Sequence, residues 1–177
     1  MAQSLPYRIA VLCYLFDTQE QVLLLHRHKS PNRHLYSPVG GKLNLDMGES
    51  PTACAVREIR EETGVHVGAS DLHLTGIVSE DGFDDRMHWL MFLYEVLSPV
   101  EVACMSINEG ELKWHSRAEI ENLPIPDTDR QVIWPLFWRF RRKFFAAHLH
   151  CSGGIIDWCI EQPFDAIAAQ GSTPRGF

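Results

Sequence analysis

One segment of the sequence constrains the fold more than any other: it runs from Gly40 to Val65 and reads GGKLNLDMGESPTACAVREIREETGV. Ser50 is a favoured residue for a helix N-cap, and Pro51 suits the first helical turn. Gly64 suits the left-handed residue that follows the end of a helix. The segment therefore predicts a glycine-containing loop that runs into a short helix.

Three glutamates fall on one side of this predicted helix. Glu58, Glu61 and Glu62 are spaced i, i+3 and i+4, so their carboxylates are neighbours on the helix surface. The like charges of Glu58 and Glu62 repel by roughly a few tenths of a kcal/mol in an isolated helix, which favours a cation between them. Oxygen-only ligands favour a hard divalent ion such as Mg²⁺ or Mn²⁺. The alternative is a solvated acidic face that is partly paired with Arg57 and Arg60.

The order of residues around these glutamates resembles the signature of the Nudix hydrolase family, GX5EX7REUXEEXGU. The fixed positions that match are Glu49, Arg57, Glu58, Ile59, Glu61, Glu62, Gly64 and Val65. One position departs, because the first glycine of the signature falls on Leu43 and the Gly40-Gly41-Lys42 triplet lies two residues further upstream. Loops tolerate insertions better than helices do, so we expect the extra residues to be absorbed before the helix.

The resemblance implies a role for each matched residue. Glu58 matches the glutamate that orients or deprotonates water, and Arg57 matches the arginine that orients a signature carboxylate through its planar fork. Glu49 matches the loop glutamate that supports this network. The implied catalytic residues are Glu58, Arg57 and Glu61, and the implied metal ligands are Gly40 through its carbonyl, Glu58, Glu61 and Glu62. The implied cofactor is Mg²⁺, with Mn²⁺ as a substitute.

Carboxylate-held divalent ions beside a glycine loop suit phosphoryl chemistry. Such ions offset the charge that develops on phosphate oxygens and lower the pKa of an attacking water. In the resemblance, that water cleaves a nucleoside diphosphate linked to another group, X. The signature predicts the reaction and leaves X open.

Composition limits the class of protein. With 177 residues, 45% of them hydrophobic and 22% charged, the chain predicts one domain over residues 1–165 and a loosely ordered tail over 166–177. A net charge of −7 argues against a nucleic-acid polymer as partner. The sequence has no apolar run of membrane-spanning length, and its five scattered cysteines fit a reducing cytoplasm. We therefore expect a cytoplasmic enzyme with a small nucleotide as its partner, either monomeric or homodimeric.

The remaining pattern predicts a mixed sheet with helices on both sides. Strands are predicted at 7–16, 21–27, 72–78 and 87–97, and a closing hairpin at 144–151 and 155–160. Apolar residues at helical spacing from Val132 to Phe140 predict a second long helix, which Pro135 should kink or deprive of one backbone hydrogen bond. The segment 80–86 is interpreted as a polar connection. This order predicts an α/β fold and resembles the Nudix α/β/α sandwich, with a mixed β-sheet between helices.

Three segments resemble the branch of the family that hydrolyses oxidised purine nucleoside triphosphates, the 8-oxo-dGTP diphosphatases. They are Asn108–Trp114, the PDTD sequence that precedes WPLFW, and the hairpin sequence FFAAHLHCSGGIIDWCIEQ. In that branch an aspartate ahead of the C-terminal helix reads the purine edge, and Asp129 stands at the matching place with Asp127 nearby. The alternative for Asp129 is a charge favoured by the helix dipole.

Two further residues are candidates for substrate binding. Ser37 stands where that branch can place an asparagine before the glycines, and serine has fewer hydrogen-bonding groups than asparagine. Arg27 lies in the basic run HRHK ahead of the glycine loop, where it could reach a phosphate oxygen. The alternative for Arg27 is a solvated strand end.

The sequence thus predicts a metal-dependent Nudix pyrophosphohydrolase that converts a nucleoside triphosphate, with 8-oxo-dGTP as leading substrate, to the monophosphate and pyrophosphate. One alternative keeps the chemistry and changes X to ADP-ribose or a dinucleoside polyphosphate. Another is a non-catalytic nucleotide-sensing module, which the retention of Arg57 and all three helix glutamates disfavours.

Overall fold

The computed structural model describes residues 5–30, 32–84 and 87–163, without the side chains of residues 83, 84 and 163. The strands are β1 (Tyr7–Tyr14), β2 (Val22–Arg27), β3 (Tyr36–Pro38), β4 (Leu72–Asp84), β5 (Met87–Val96), β6 (Met105–Ile107), β7 (Gly110–His115), β8 (Phe145–Ser152) and β9 (Ile155–Pro163). The α-helices are α1 (Pro51–Thr63), α2 (Arg117–Ile120) and α3 (Trp134–Phe140), with 3₁₀ turns at Leu45–Met47 and Ala69–Asp71. The tail predicted over 166–177 lies outside the described residues.

The strands form two sheets rather than one. The larger sheet has the order β1-β5-β4-β8-β9 and is mixed, because β1 pairs with β5 and β4 pairs with β8 in parallel. The smaller sheet has the order β3-β2-β7-β6 and is antiparallel throughout. The predicted α/β sandwich is confirmed. Its division into two sheets arises because the first two strands pair only beside their turn, at Leu15 and Leu23, and then diverge.

Successive side chains of a strand point to opposite faces. In β1 the side chains of both faces pack into a hydrophobic core. Val11 and Cys13 pack into a core with Ile59 of α1. Tyr14 packs into a second core with Phe137 of α3. The larger sheet therefore carries a helix on each side, and β1 joins the two cores.

The helix α1 begins and ends as its sequence predicts. The Ser50 hydroxyl accepts a hydrogen bond from the Ala53 N–H at 3.2 Å, and Pro51 is the first helical residue. Gly64 ends the helix with a φ of 76°, a conformation that favours glycine. The apolar side of α1 lies on the sheet, which turns its acidic side towards the loop that precedes it.

The second long helix departs from regular geometry at its start. Asp129–Ile133 forms a π-helical turn, in which the Trp134 N–H bonds back to the Asp129 carbonyl, and α3 follows. Pro135 lies in the first turn of α3, where its missing N–H removes no bond within the α-helix. The predicted helix is present, but its irregular geometry lies in the π-helical turn before Pro135 and not at the proline itself.

The strand β4 is longer than predicted. It runs to Asp84, so residues 80–84 of the predicted polar connection belong to the sheet, and residues 85–86 lie outside the described chain. The closing hairpin is confirmed as β8 and β9. In the described ranges no helix is long and apolar enough to cross a membrane.

Replacement of Phe137 with alanine should destabilise the fold by about 3–5 kcal/mol, because it leaves a cavity in a packed core. The Phe137 ring is fully buried and stacks on Tyr14 at 3.7 Å between centroids. Urea unfolding monitored by circular dichroism measures this change. Ile155→Ala, at a residue that is 65% exposed, is the control and should change the free energy of unfolding little. A loss below about 1 kcal/mol in Phe137→Ala would contradict the packing described here.

Candidate active site

A cavity of about 430 Å³ opens between the larger sheet, the glycine loop and the start of the π-helical turn. Its floor is apolar and is formed by residues from β1 and β5: Ala10, Val11, Leu12, Trp89 and Met91. Its polar lining comes from six parts of the chain: Arg27, Lys29, Ser30 and Asn32; Ser37, Gly40, Gly41 and Lys42; Glu58; Glu80; Glu109; and Thr128 and Asp129. The cavity is large enough for a small-molecule ligand.

Arg57 holds the carboxylates of the loop and the helix together. Its guanidinium binds Glu49 through two parallel bonds, Nε to Oε1 at 2.7 Å and Nη2 to Oε2 at 2.9 Å. Its Nη1 donates to Glu58 Oε1 at 2.7 Å and to Glu61 Oε2 at 3.1 Å. Nη2 also donates to the Lys42 carbonyl at 3.2 Å. One cation therefore fixes three acidic side chains and the backbone of the glycine loop.

The two extra loop residues do not disturb this network. The 3₁₀ turn Leu45–Met47 projects from the surface, and the Met47 side chain is exposed. Glu49 still reaches Arg57, and its Oε2 also accepts the Asn44 N–H at 2.8 Å. The insertion is therefore absorbed upstream of Glu49, as expected from the tolerance of loops.

The glycine pair allows the loop to approach both β1 and the helix. A Cβ on Gly40 would lie 2.2 Å from the Val11 carbonyl oxygen, and Gly40 has a φ of 146°. A Cβ on Gly41 would lie 2.4 Å from Glu58 Oε1. Only glycines bring the loop backbone this close to the Glu58 carboxylate.

Glu62 lies against the same loop. Its side chain is buried, and Oε2 accepts the Gly40 N–H at 3.1 Å. Burial raises the pKa of Glu62 to about 8, the Gly40 hydrogen bond opposes this shift, and the charge of Glu58 adds to it. Burial also raises the pKa of Glu58, although Arg57 acts against that shift. Glu58 and Glu62 lie one helical turn apart. The positive charge near them is therefore too small to offset the cost of burying two ionised carboxylates.

The donors around Glu58 and Glu62 suit a hard divalent cation. They are all oxygens, and their raised pKa values show that an added positive charge would stabilise their ionised forms. The Gly40 carbonyl accepts no hydrogen bond within the described residues. Its oxygen is therefore available as a third ligand to such an ion. Across those same residues, no three acidic, histidine or cysteine side chains converge closely enough to hold an ion as they stand. Glu61 does not join them, because its carboxylate is 59% exposed and bound to Arg57.

The structure sorts the predicted residues into three groups. Arg57, Glu49, Glu58 and Glu61 form one hydrogen-bonded network, and Glu62 joins Gly40 beside it. Arg27, Ser37 and Asp129 line the cavity that Glu58 also lines. Asp127 does not line it, and its side chain is exposed.

Sequence reasoning missed Glu80, Trp89 and Lys42 as cavity residues. Glu80 and Trp89 are direct partners in the pairing of β4 with β5, so both point into the cavity from the sheet. A signal was present for Glu80, because it follows the buried Val78 by two residues on the same strand. The Lys42 ammonium lies 5.9 Å from the centroid of the Trp89 ring, a tertiary contact that no local pattern indicates.

A family model described as the NUDIX domain matches residues 6–134. A Nudix hydrolase of Bacillus subtilis, YvcI, is 31% identical over 122 residues, which are 67% of this chain and 73% of that protein. A second B. subtilis protein, provisionally named 8-oxo-dGTP diphosphatase, is 29% identical over 126 residues, with 71% and 78% coverage. The crystal structure of the MutT protein of Bacillus halodurans superposes with a TM-score of 0.68 at 26% identity, covering 88% of this chain and 99% of that one.

Substitution of Arg57 with lysine should raise the pKa of Glu49 from about 2 towards its usual value of 4.5, because lysine cannot form the two parallel bonds. Titration of the Glu49 carboxyl by NMR measures this shift. A depressed pKa stabilises the fold above about pH 4.5 and loses that effect as the pH falls towards 2, so the variant should also unfold with a weaker acid dependence. Arg60→Lys, on the exposed side of α1, is the matched control. A Glu49 pKa that stays near 2 in Arg57→Lys would contradict the network.

Proposed function

The chain belongs to the Nudix family of hydrolases, and from that premise we propose that it is a divalent-metal-dependent pyrophosphohydrolase that converts a nucleoside triphosphate to the monophosphate and pyrophosphate. We further propose oxidised purine triphosphates such as 8-oxo-dGTP as its leading substrates. One observation carries both proposals: a single cavity contains Glu58 of the signature, three cationic side chains and the buried carboxyl of Asp129.

The cationic side chains support a polyphosphate ligand. Arg27, Lys29 and Lys42 line the same cavity as Glu58. Arg27 also pairs at 3.5 Å with Glu109, which lines the same cavity. A triphosphate carries several negative charges, and side chains of opposite sign raise both its affinity and its rate of encounter. We therefore place the phosphates along the glycine loop, beside Glu58.

The helix carboxylates would hold Mg²⁺, with Mn²⁺ as a substitute, through Glu58, Glu62 and the Gly40 carbonyl, and Glu61 is the further candidate ligand. Bound there, such an ion would supply positive charge that neutralises phosphate oxygens and acidifies water. Because Glu61 is held by Arg57, it can join the ligands only if that hydrogen bond is released.

The protein's own contribution is to position Glu58. Arg57 binds Glu58 Oε1, the Gly41 backbone lies against the carboxylate, and the second oxygen of Glu58 accepts no hydrogen bond within the described ranges. That oxygen is available to accept a proton from a water that attacks phosphorus. Arg57 is itself fixed by Glu49, so the loop glutamate acts as a positioning residue.

Another part of the cavity lining suits a purine. Trp89 and Met91 give an apolar floor on which a flat base can lie, and Asp129 and Ser37 give polar groups at its edge. The Ser37 hydroxyl is buried without a hydrogen-bond partner in the described chain, which favours a ligand partner. The name of the second B. subtilis relative and the likeness to a MutT structure support an oxidised guanine as that ligand.

Glu58→Gln and Glu62→Gln should each lower kcat/KM by about 100-fold or more, since proton transfer and ion binding both require a carboxylate at these positions. The measurement is pyrophosphate release from a panel of 8-oxo-dGTP, dGTP and dATP, with ADP-ribose and a dinucleoside polyphosphate followed by chromatography, all with Mg²⁺. Glu161→Gln makes the same chemical change on the exposed strand β9 and should retain wild-type turnover.

Unchanged turnover in both signature variants would overturn the assigned site. Turnover of ADP-ribose above every triphosphate would overturn the substrate class and leave the chemistry standing. If the wild-type protein hydrolyses no compound in the panel, the result would favour the non-catalytic nucleotide-sensing module.

A further inference from the structure

Two buried carboxyl groups lie in the cavity away from the signature helix. Glu80 of β4 is 4% exposed and Asp129 of the π-helical turn is 8% exposed. Neither makes a salt bridge in the described part of the chain. A buried carboxylate without a cationic partner is unfavourable unless it takes up a proton or binds a ligand.

The fold directs both groups into the same cavity. Glu80 is paired with Trp89 across β4 and β5, and Val78 with Met91, so these four side chains share one face of the sheet. Asp129, the first residue of the π-helical turn, also lines the cavity. Ser37, whose hydroxyl has no partner among the described residues, lines the cavity beside them.

Together the two groups hold about one proton at neutral pH. Burial raises the pKa of Glu80 to about 7 and that of Asp129 to about 7, and the charge of Glu80 raises the pKa of Asp129 further. Because the charge of Glu80 raises the pKa of Asp129, Glu80 ionises first, and the state that holds one proton has a carboxylate at Glu80 and a neutral acid at Asp129. That state offers one hydrogen-bond donor and one charged acceptor to a ligand.

The neighbouring titratable groups do not account for this proton. The Cys151 thiol of β8 donates to Glu80 Oε1 at 3.7 Å, and burial raises its pKa to about 11. Burial raises the pKa of the Tyr14 hydroxyl of β1 well above its usual value, so both groups stay protonated near neutrality. Asp81, next to Glu80 on β4, pairs with His150 of β8 and raises the pKa of Glu80. The other charged groups lining the cavity are Arg27, Lys29, Lys42, Glu58 and Glu109.

We propose that Glu80 is a specificity-determining residue that acts with Asp129 to read the edge of a guanine-type base, with Asp129 as the neutral donor and Glu80 as the charged acceptor. This inference rests on the proposed function, since it takes the ligand to be a purine nucleotide. It adds the sheet residue Glu80 and the requirement for one shared proton.

The hydrogen-bonding pattern of guanine fits this pair better than that of adenine. Guanine presents two adjacent N–H donors, which one carboxylate can accept together, and a carbonyl oxygen that a neutral carboxyl can bind. Adenine presents an amino group beside a ring nitrogen acceptor. It therefore loses one of the hydrogen bonds that guanine makes with the two carboxyl groups. Charge-assisted paired bonds are stronger than single neutral bonds. The cavity should therefore favour 2-amino-6-oxopurine nucleotides over 6-aminopurine nucleotides.

The test is equilibrium binding of GMP and AMP by calorimetry between about pH 6.5 and pH 8.5. In the wild-type protein GMP should bind about tenfold more tightly than AMP near pH 6.5, and the ratio should fall about fivefold by pH 8.5 because Asp129 loses its proton. GMP and AMP carry the same phosphate group, so the ratio of their affinities cancels the effect of phosphate ionisation. In Asp129→Asn the side-chain amide donates at every pH, so the ratio should stay near its wild-type value at pH 6.5 across the whole range. Glu161→Gln should follow the wild-type profile.

A GMP to AMP ratio that does not change with pH in the wild-type protein would overturn the proposal, as would an Asp129→Asn profile that matches wild type. If Asp129→Asn does not fold, the wild-type pH series and Glu80→Gln decide, because Glu80→Gln should weaken GMP binding about tenfold without affecting AMP to the same extent. The binding measurement does not depend on turnover. If the enzyme is active but the affinity ratio lacks this pH dependence, only the inference fails. If the affinity ratio shows this pH dependence but the protein hydrolyses no nucleotide, only the proposed function fails.

Discussion

The bonds from the Arg57 guanidinium to Glu49, Glu58 and Glu61 are the interaction on which the site depends. Glu49 belongs to the loop and the other two belong to α1, so a single planar cation joins two segments that local structure alone would not align. Arginine suits this role because its donors are fixed in one plane and can bind two carboxylates at once. The carboxylates in turn hold Arg57, and the hydrogen bonds to Glu49 and Glu58 raise its pKa further.

The fold supplies the rest of the site by bringing the loop close to the helix. Gly40 and Gly41 lie where a side chain would collide with β1 or with Glu58. The Val11 N–H binds the Gly41 carbonyl at 2.8 Å, which fixes the loop against the strand. Because Val11 belongs to the same core as Ile59 of α1, burial of apolar side chains sets the separation of loop and helix. The carboxylates of Glu58 and Glu62 are therefore held against the loop backbone, where they can bind a cation.

Local features of the site could be predicted from the sequence because their causes are local. Ser50 and Gly64 set the limits of α1 through their own backbone preferences, and the spacing of Glu58 and Glu62 follows from the helical repeat. Even the insertion before Glu49 followed the expectation that loops absorb extra residues. The family signature added roles to these residues.

The remaining features depend on tertiary contacts that no local pattern specifies. The strands divide into two sheets because β1 and β2 diverge after Leu15 and Leu23, although their sequences both indicate buried strands. Asp129 is buried and Asp127 is exposed because a π-helical turn starts between them, a geometry with no clear sequence signal. Glu80 enters the cavity because β4 continues beyond the last apolar residue of its pattern.

Identification of the products tests the central claim most directly. Wild-type protein, 8-oxo-dGTP and Mg²⁺ are incubated in water enriched in ¹⁸O, and the products are analysed by phosphorus NMR and mass spectrometry. The account predicts 8-oxo-dGMP and pyrophosphate in equal amounts, with the heavy oxygen on one of these two products. Release of orthophosphate with 8-oxo-dGDP would contradict it, because the bond between the β and γ phosphates would then have been cleaved.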